Sequence, residues 1–82
     1  MFSYETKGTC SSRIDLEIEN NKIKSVNFVG GCSGNLQGIS ALVKGMSIDE
    51  AYKKLSGIKC GSKNTSCPDQ LSKALLEWKK RA

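Results

Sequence analysis

Apolar and polar residues alternate strictly over RIDLEIE, residues 13–19. Ile14, Leu16 and Ile18 fall on one side, and Arg13, Asp15, Glu17 and Glu19 on the other, which is the period of two of a half-buried strand. Asn20 and Asn21 come next; both tolerate positive φ, so together they make a two-residue hairpin turn. KIKSVNFV (22–29) is then the return strand, with Val26 and Phe28 inward. Ile23 is out of phase with that pair, which predicts a bulge or a late start of pairing near Lys24–Ser25. Upstream, FSYET (2–6) alternates Phe2 and Tyr4 and reads as a short edge strand.

Beyond Gly30 and Gly31 the period lengthens. NLQGISALVKG places Leu36, Ile39, Leu42 and Val43 on one helical stripe, with Gly45 as its C-cap. MSIDEAYKKLSG opens with Ser47 and Glu50 spaced as a capping box, turns Ile48, Ala51, Tyr52 and Leu55 inward, and stops at Gly57. A last helix carries Leu71, Ala74, Leu75 and Trp78 on one face. Lys79, Lys80 and Arg81 occupy its final turn, where the helix dipole favours cations. The expected fold class is α+β: a three-stranded antiparallel meander followed by three helices packed on one face, in a single domain over residues 1–82.

Length changes this picture first. Eighty-two residues hold only a small core, and domains of this size often add a metal, disulfides or a partner chain. The net charge of +5, from 13 Lys and Arg against 8 Asp and Glu, permits contact with nucleic acid or an acidic partner without requiring either. Lys53, Lys54, Lys59 and Lys63 and the Lys79–Arg81 tail are accounted for by solvated faces. No aromatic platform for stacking bases accompanies them, so nucleic acid is not an expected partner. No apolar run approaches the ~20 residues of a membrane span. MFSYETKGTC lacks the apolar stretch of a signal peptide. The expected location is therefore cytoplasmic, where thiols are kept reduced.

The candidate chemistry is in four cysteines: Cys10, Cys32, Cys60 and Cys67. None falls on an apolar stripe. Each is expected at the end of an element, among glycines and serines, where ligands rather than core residues are found. Cys67 stands directly before Pro68, a residue suited to the first helical position. That spacing predicts Cys67 as the N-cap of the last helix, where the dipole and free N–H groups favour a thiolate. Three other uses of the four residues stay open: buried small hydrophobes, disulfides (for which the chain offers no secretory context), and redox or sulfur-carrying chemistry. The intervals between them are 21, 27 and 6 residues. No paired C-x-x-C knuckle exists, and a metal site has to be assembled by the fold. Zinc in a tetrahedral thiolate set or an iron–sulfur cluster would use the same sulfurs. The chain has no histidine, which excludes a histidine ligand and a histidine-assisted nucleophile. CSGNLQG (32–38) is a glycine-rich turn at a helix start but carries no phosphate-loop pattern.

GGCSGNLQGIS, GIKCGSK and TSCPDQLSKAL, with KGTCSS upstream, resemble the TSCPD domain family, and Thr65–Ser66–Cys67–Pro68–Asp69 spell its name. The likeness runs almost end to end and includes all four cysteines. It is strongest to small stand-alone members; longer members carry the domain at the C-terminus of cobalamin-dependent ribonucleotide reductases. The resemblance implies a metal, zinc or alternatively an iron–sulfur cluster, on Cys10, Cys32, Cys60 and Cys67. It also implies a link to ribonucleoside-diphosphate reductase, nucleotide binding and DNA synthesis. Ribonucleotide reduction needs a large barrel, a radical generator and several active-site cysteines. The implied role is therefore accessory, a domain that docks on a reductase or passes it electrons through a dithiol, for which Cys60 and Cys67 are the candidate redox pair. A second resemblance is to the U-type iron–sulfur scaffolds, through Gly31–Cys32, Lys44–Gly45, Asp49–Glu50–Ala51 and Cys67, and it implies an iron–sulfur or persulfide carrier acting through Cys32 and Cys67. This chain is shorter than those and has the extra Cys60.

Overall fold

The structure, a computed structural model, describes residues 2–9, 11–31 and 33–81. Strands β1 (Phe2–Glu5), β2 (Ser11–Glu19) and β3 (Lys22–Gly30) form one antiparallel sheet in the order β1-β2-β3. Helices α1 (Ser33–Val43), α2 (Ile48–Leu55) and α3 (Cys67–Arg81) follow and pack against it. This is the α+β meander-then-helices arrangement expected from the alternation and its change of period.

The β2–β3 hairpin turns on Asn20 and Asn21, with φ of 55° and 61°. Two consecutive left-handed residues between the Glu19–Lys22 pair make the turn whose twist matches the strands. The expected bulge is at Lys24: Glu17 faces Ser25 and Ile18 faces Ile23, so Lys24 has no opposite number. That extra residue restores the phase and buries Ile23 beside Ile14 and Leu16. A second irregularity at Ser12 lets β2 begin at Ser11, two residues earlier than its alternating pattern.

Backbone hydrogen bonds fix the helices to the hairpin. Gly45 N–H donates to Ile23 O (2.8 Å), Ile23 N–H to Met46 O (2.9 Å) and Ile48 N–H to Asn21 O (3.0 Å). Gly45 makes this turn at φ 89°, the left-handed conformation expected after a helix end. Ser47 then caps α2, its hydroxyl accepting from Glu50 N–H at 3.1 Å. Ile14, Leu16, Ile23, Val43, Ile48, Ala51, Leu71, Ala74 and Leu75 make the buried core, with Trp78 packed against it.

Two expectations are corrected. Leu42 does not join the stripe of α1; it is 79% exposed. The helical pitch places it roughly 90° round from the mean direction of Leu36, Ile39 and Val43. The cap of α3 is Ser66, not Cys67. Ser66 O accepts from Gln70 N–H (2.8 Å) and Ser66 Oγ accepts from Asp69 N–H (3.1 Å). A hydroxyl oxygen is the better acceptor, and Cys67 and Pro68 take the next two places in the first turn, where a missing N–H costs nothing.

Candidate functional site

Most of the buried polar side chains among the described residues gather at the start of α3: Thr65, Ser66, Asp69, Gln70 and Ser72, with Ser11 from β2. Burial of so many polar groups is tolerable only when each is partnered. No buried side-chain nitrogen or oxygen among the described residues lacks a hydrogen bond.

Asp69 is the hub. Its carboxylate accepts from Thr65 Oγ1 (2.5 Å) and from Gly57 N–H (2.7 Å), and Lys73 Nζ stands 3.5 Å away. Burial works against its charge most strongly. The Thr65 and Gly57 hydrogen bonds and the Lys73 ammonium together outweigh that penalty and hold the carboxyl below its ordinary value. Gln70 donates from Nε2 to Thr65 Oγ1 (3.0 Å) and accepts from Lys7 N–H (3.1 Å). Ser66 Oγ donates to Ile58 O (2.6 Å). The first turn of α3 thus fastens the 57–58 turn on one side and Lys7 on the other. Gly8 belongs to that approach: at φ 78°, a Cβ there would stand 3.1 Å from Thr65 Cγ2.

Cys67 is seated inside this network. It is buried, with Ser11 Oγ 3.2 Å from its sulfur. Ser11 is held in turn by Thr9 Oγ1 (3.2 Å), so the chain next to Cys10 is drawn to Cys67. Cys60 is exposed. Its N–H donates to Thr65 O (3.2 Å), and its carbonyl accepts from Lys63 N–H (3.0 Å), closing the 60–65 turn. Cys60 and Cys67 line one groove of about 500 Å³ together with Gly34, Asn35 and Leu36 of α1. Cys10 and Cys32, the other two sequence-derived ligands, lie outside the described residues. Among the described residues no group of three or more His, Cys, Asp or Glu is placed to hold a metal.

Sequence reasoning singled out Cys67 and Pro68 and assigned Asp69 and Gln70 only to the first helical turn. Their long-range partners were missed. The Ser66-x-x-Asp69 spacing, which has the form of an acidic capping box, signals the cap at Ser66 but not those partners.

No helix among the described residues is long and apolar enough to cross a membrane. Comparison with curated proteins and with solved structures finds no match for this chain. The model of the TSCPD domain matches residues 2–79, from β1 into the last turn of α3. The chain belongs to the TSCPD domain family.

Proposed function

We propose that the protein is a small metal-binding accessory domain in which Cys10, Cys32, Cys60 and Cys67 hold one zinc ion. The observation that supports this reading is that chain neighbours of Cys10 and Cys32 lie near Cys60 and Cys67. Ser11, the neighbour of Cys10, touches Cys67. The first turn of α1, which follows Cys32, shares a groove with Cys60 and Cys67. The donor set suits the ion, since zinc accepts four thiolates in a closed structural site. Bound there, it would supply cross-links between the sheet and the helices of a domain with a small core. Family membership supports a link to ribonucleoside-diphosphate reduction and DNA synthesis, with this chain docking on a partner enzyme.

One pair of observations favours a second reading, a dithiol electron donor. Cys60 is exposed and Cys67 is buried in the first turn of α3, where the helix dipole favours a thiolate, and both face one groove. In that case their two thiols would give two electrons and two protons to an acceptor disulfide and close a Cys60–Cys67 bond.

Thiol titration of the purified protein separates the two. The zinc reading expects the thiols to resist oxidant and alkylating agent until a chelator is added. It also expects Cys60→Ser and Cys67→Ser each to weaken metal retention and lower the unfolding temperature. Rapid, reversible oxidation of the Cys60–Cys67 pair without chelator would replace it with the dithiol reading.

A further inference from the structure

The groove that holds Cys60 and Cys67 is largely apolar, with Asn35 and Ser66 its polar lining residues. Leu36, Ile39 and Leu42 line it from α1, and Pro68 from α3. Gly34 and Gly38 of α1 also face it, and both have open space where a Cβ would stand. The α1 wall is therefore flat and accessible. Leu42, at 79% exposure, stands on that wall with no cover from the chain itself.

The charged side chains on the two stretches that supply the groove's walls are all lysines, and Asp69, just beyond Pro68, is buried and paired with Lys73. No Asp or Glu occurs from Asn20 to Ile48 or from Ala51 to Pro68, the two stretches that supply its walls. Lys44 follows α1 directly, and Lys59 and Lys63 flank Cys60 in the closed 60–65 turn. All three are exposed, and the ion pairs among the described residues use other lysines and arginines. Their three charges outnumber the two net negative charges of a four-thiolate zinc centre.

We propose that this groove docks a segment of a partner protein that presents apolar anchors flanked by Asp and Glu. The apolar side chains would cover Leu42, Ile39 and the cysteine pair, and the carboxylates would meet Lys44, Lys59 and Lys63. A second copy of the chain is a poorer occupant, because a two-fold contact sets the same patch against itself and brings like lysines together. Nucleic acid is poorer too, since no aromatic ring lines the groove to stack a base. The inference rests on the docking role proposed above, and not on the identity of the metal.

The test is selection of a random displayed-peptide library on the full-length protein, with a Leu42→Glu chain as counter-selection. Enriched peptides are synthesised with a fluorophore and titrated by anisotropy, and metal content and thermal unfolding are measured on every sample. The expected peptides combine Leu-, Phe- or Met-type anchors with Asp or Glu. Their affinity should fall about tenfold or more for Leu42→Glu and for the Lys59→Glu, Lys63→Glu double variant, and should weaken as salt rises. Because Leu42 and both lysines are exposed, these variants should fold and keep any metal as the parent does. Failure to enrich any peptide would overturn the inference, as would neutral or basic peptides, or peptides indifferent to both variants. Self-association abolished by Leu42→Glu would assign the groove to a second copy instead. Binding of a single-stranded oligonucleotide lost with the lysines would assign it to nucleic acid. Peptide binding by a chain without metal would remove the zinc reading and leave this one standing; a metal-loaded chain that binds no peptide would do the reverse.

Discussion

The β2–β3 hairpin and the start of α3 are both buried, but they keep water out by different chemistry. The hairpin does so with Ile14, Leu16 and Ile23, whose burial is non-directional and roughly proportional to area. The start of α3 does so with Thr65, Ser66, Asp69 and Gln70, each of which is tolerable inside only while a specific partner stays in place. An apolar contact that shifts by a few tenths of an ångström still excludes water, whereas a carboxylate that loses its donors is left charged and unpaired. The hairpin therefore contributes packing that tolerates small shifts, and the polar network sets where the 57–58 turn and Lys7 come to rest. That division explains why a domain with so few core residues spends several interior positions on polar side chains.

The largest single-residue loss is expected in the hairpin. Leu16 of β2 is buried in the core, and Leu16→Ala should cost ~2–5 kcal/mol in urea unfolding. Because the loss is one of packing, it should be nearly the same at pH 7 and pH 5.

Asp69→Asn tests the other half and should behave differently. Removing the charge weakens the bonds from Gly57 and Thr65 and releases Lys73, for a loss of about 1–3 kcal/mol at pH 7. The native carboxyl is held below its ordinary value, so the folded state binds its proton less readily than the unfolded chain does. Its contribution is fully present above the unfolded pKa of about 4 and is lost as pH falls through the lower, folded value. The gap between parent and Asp69→Asn should thus narrow in acid, measured by urea unfolding at a series of pH values. A gap that stays constant to pH 2 would show that the charge contributes nothing.

A smaller effect is expected from Ser66→Ala, at ~1–2 kcal/mol for loss of the cap and of the bond to Ile58 O. Its more informative readout is local. Amide exchange at Asp69 and in the 57–60 turn should quicken more than exchange in β2 and β3.

The same contrast governs how much was legible in the sequence. The period of two, the Asn20–Asn21 turn and the phase slip at Lys24 are local signals, and each is read from fewer than ten consecutive residues. The bonds from Gly57 N–H to Asp69 and from Lys7 N–H to Gln70 join residues 12 and 63 apart, and no local period announces them. Cys67 was placed at the cap because Pro68 follows it. Ser66, one position earlier, offers the stronger acceptor together with an acid three residues on, and that pairing overrides the proline preference. Leu42 falls within the helical spacing of Leu36, Ile39 and Val43, but its angle on the helix turns it out of the buried arc. The exposed leucine and the glycine-lined wall beside it are where the local pattern and the packing disagree, and that disagreement marks the proposed docking groove.

The proposed zinc site rests on Cys10, Cys32, Cys60 and Cys67 together. Elemental analysis of protein purified without oxygen or chelator, with a visible absorption spectrum of the same sample, tests it most directly. About one zinc per chain and a colourless solution are expected, the stoichiometry of a single four-thiolate site. Iron with sulfide and visible absorbance would contradict it in favour of a cluster, and a metal-free protein would contradict it outright.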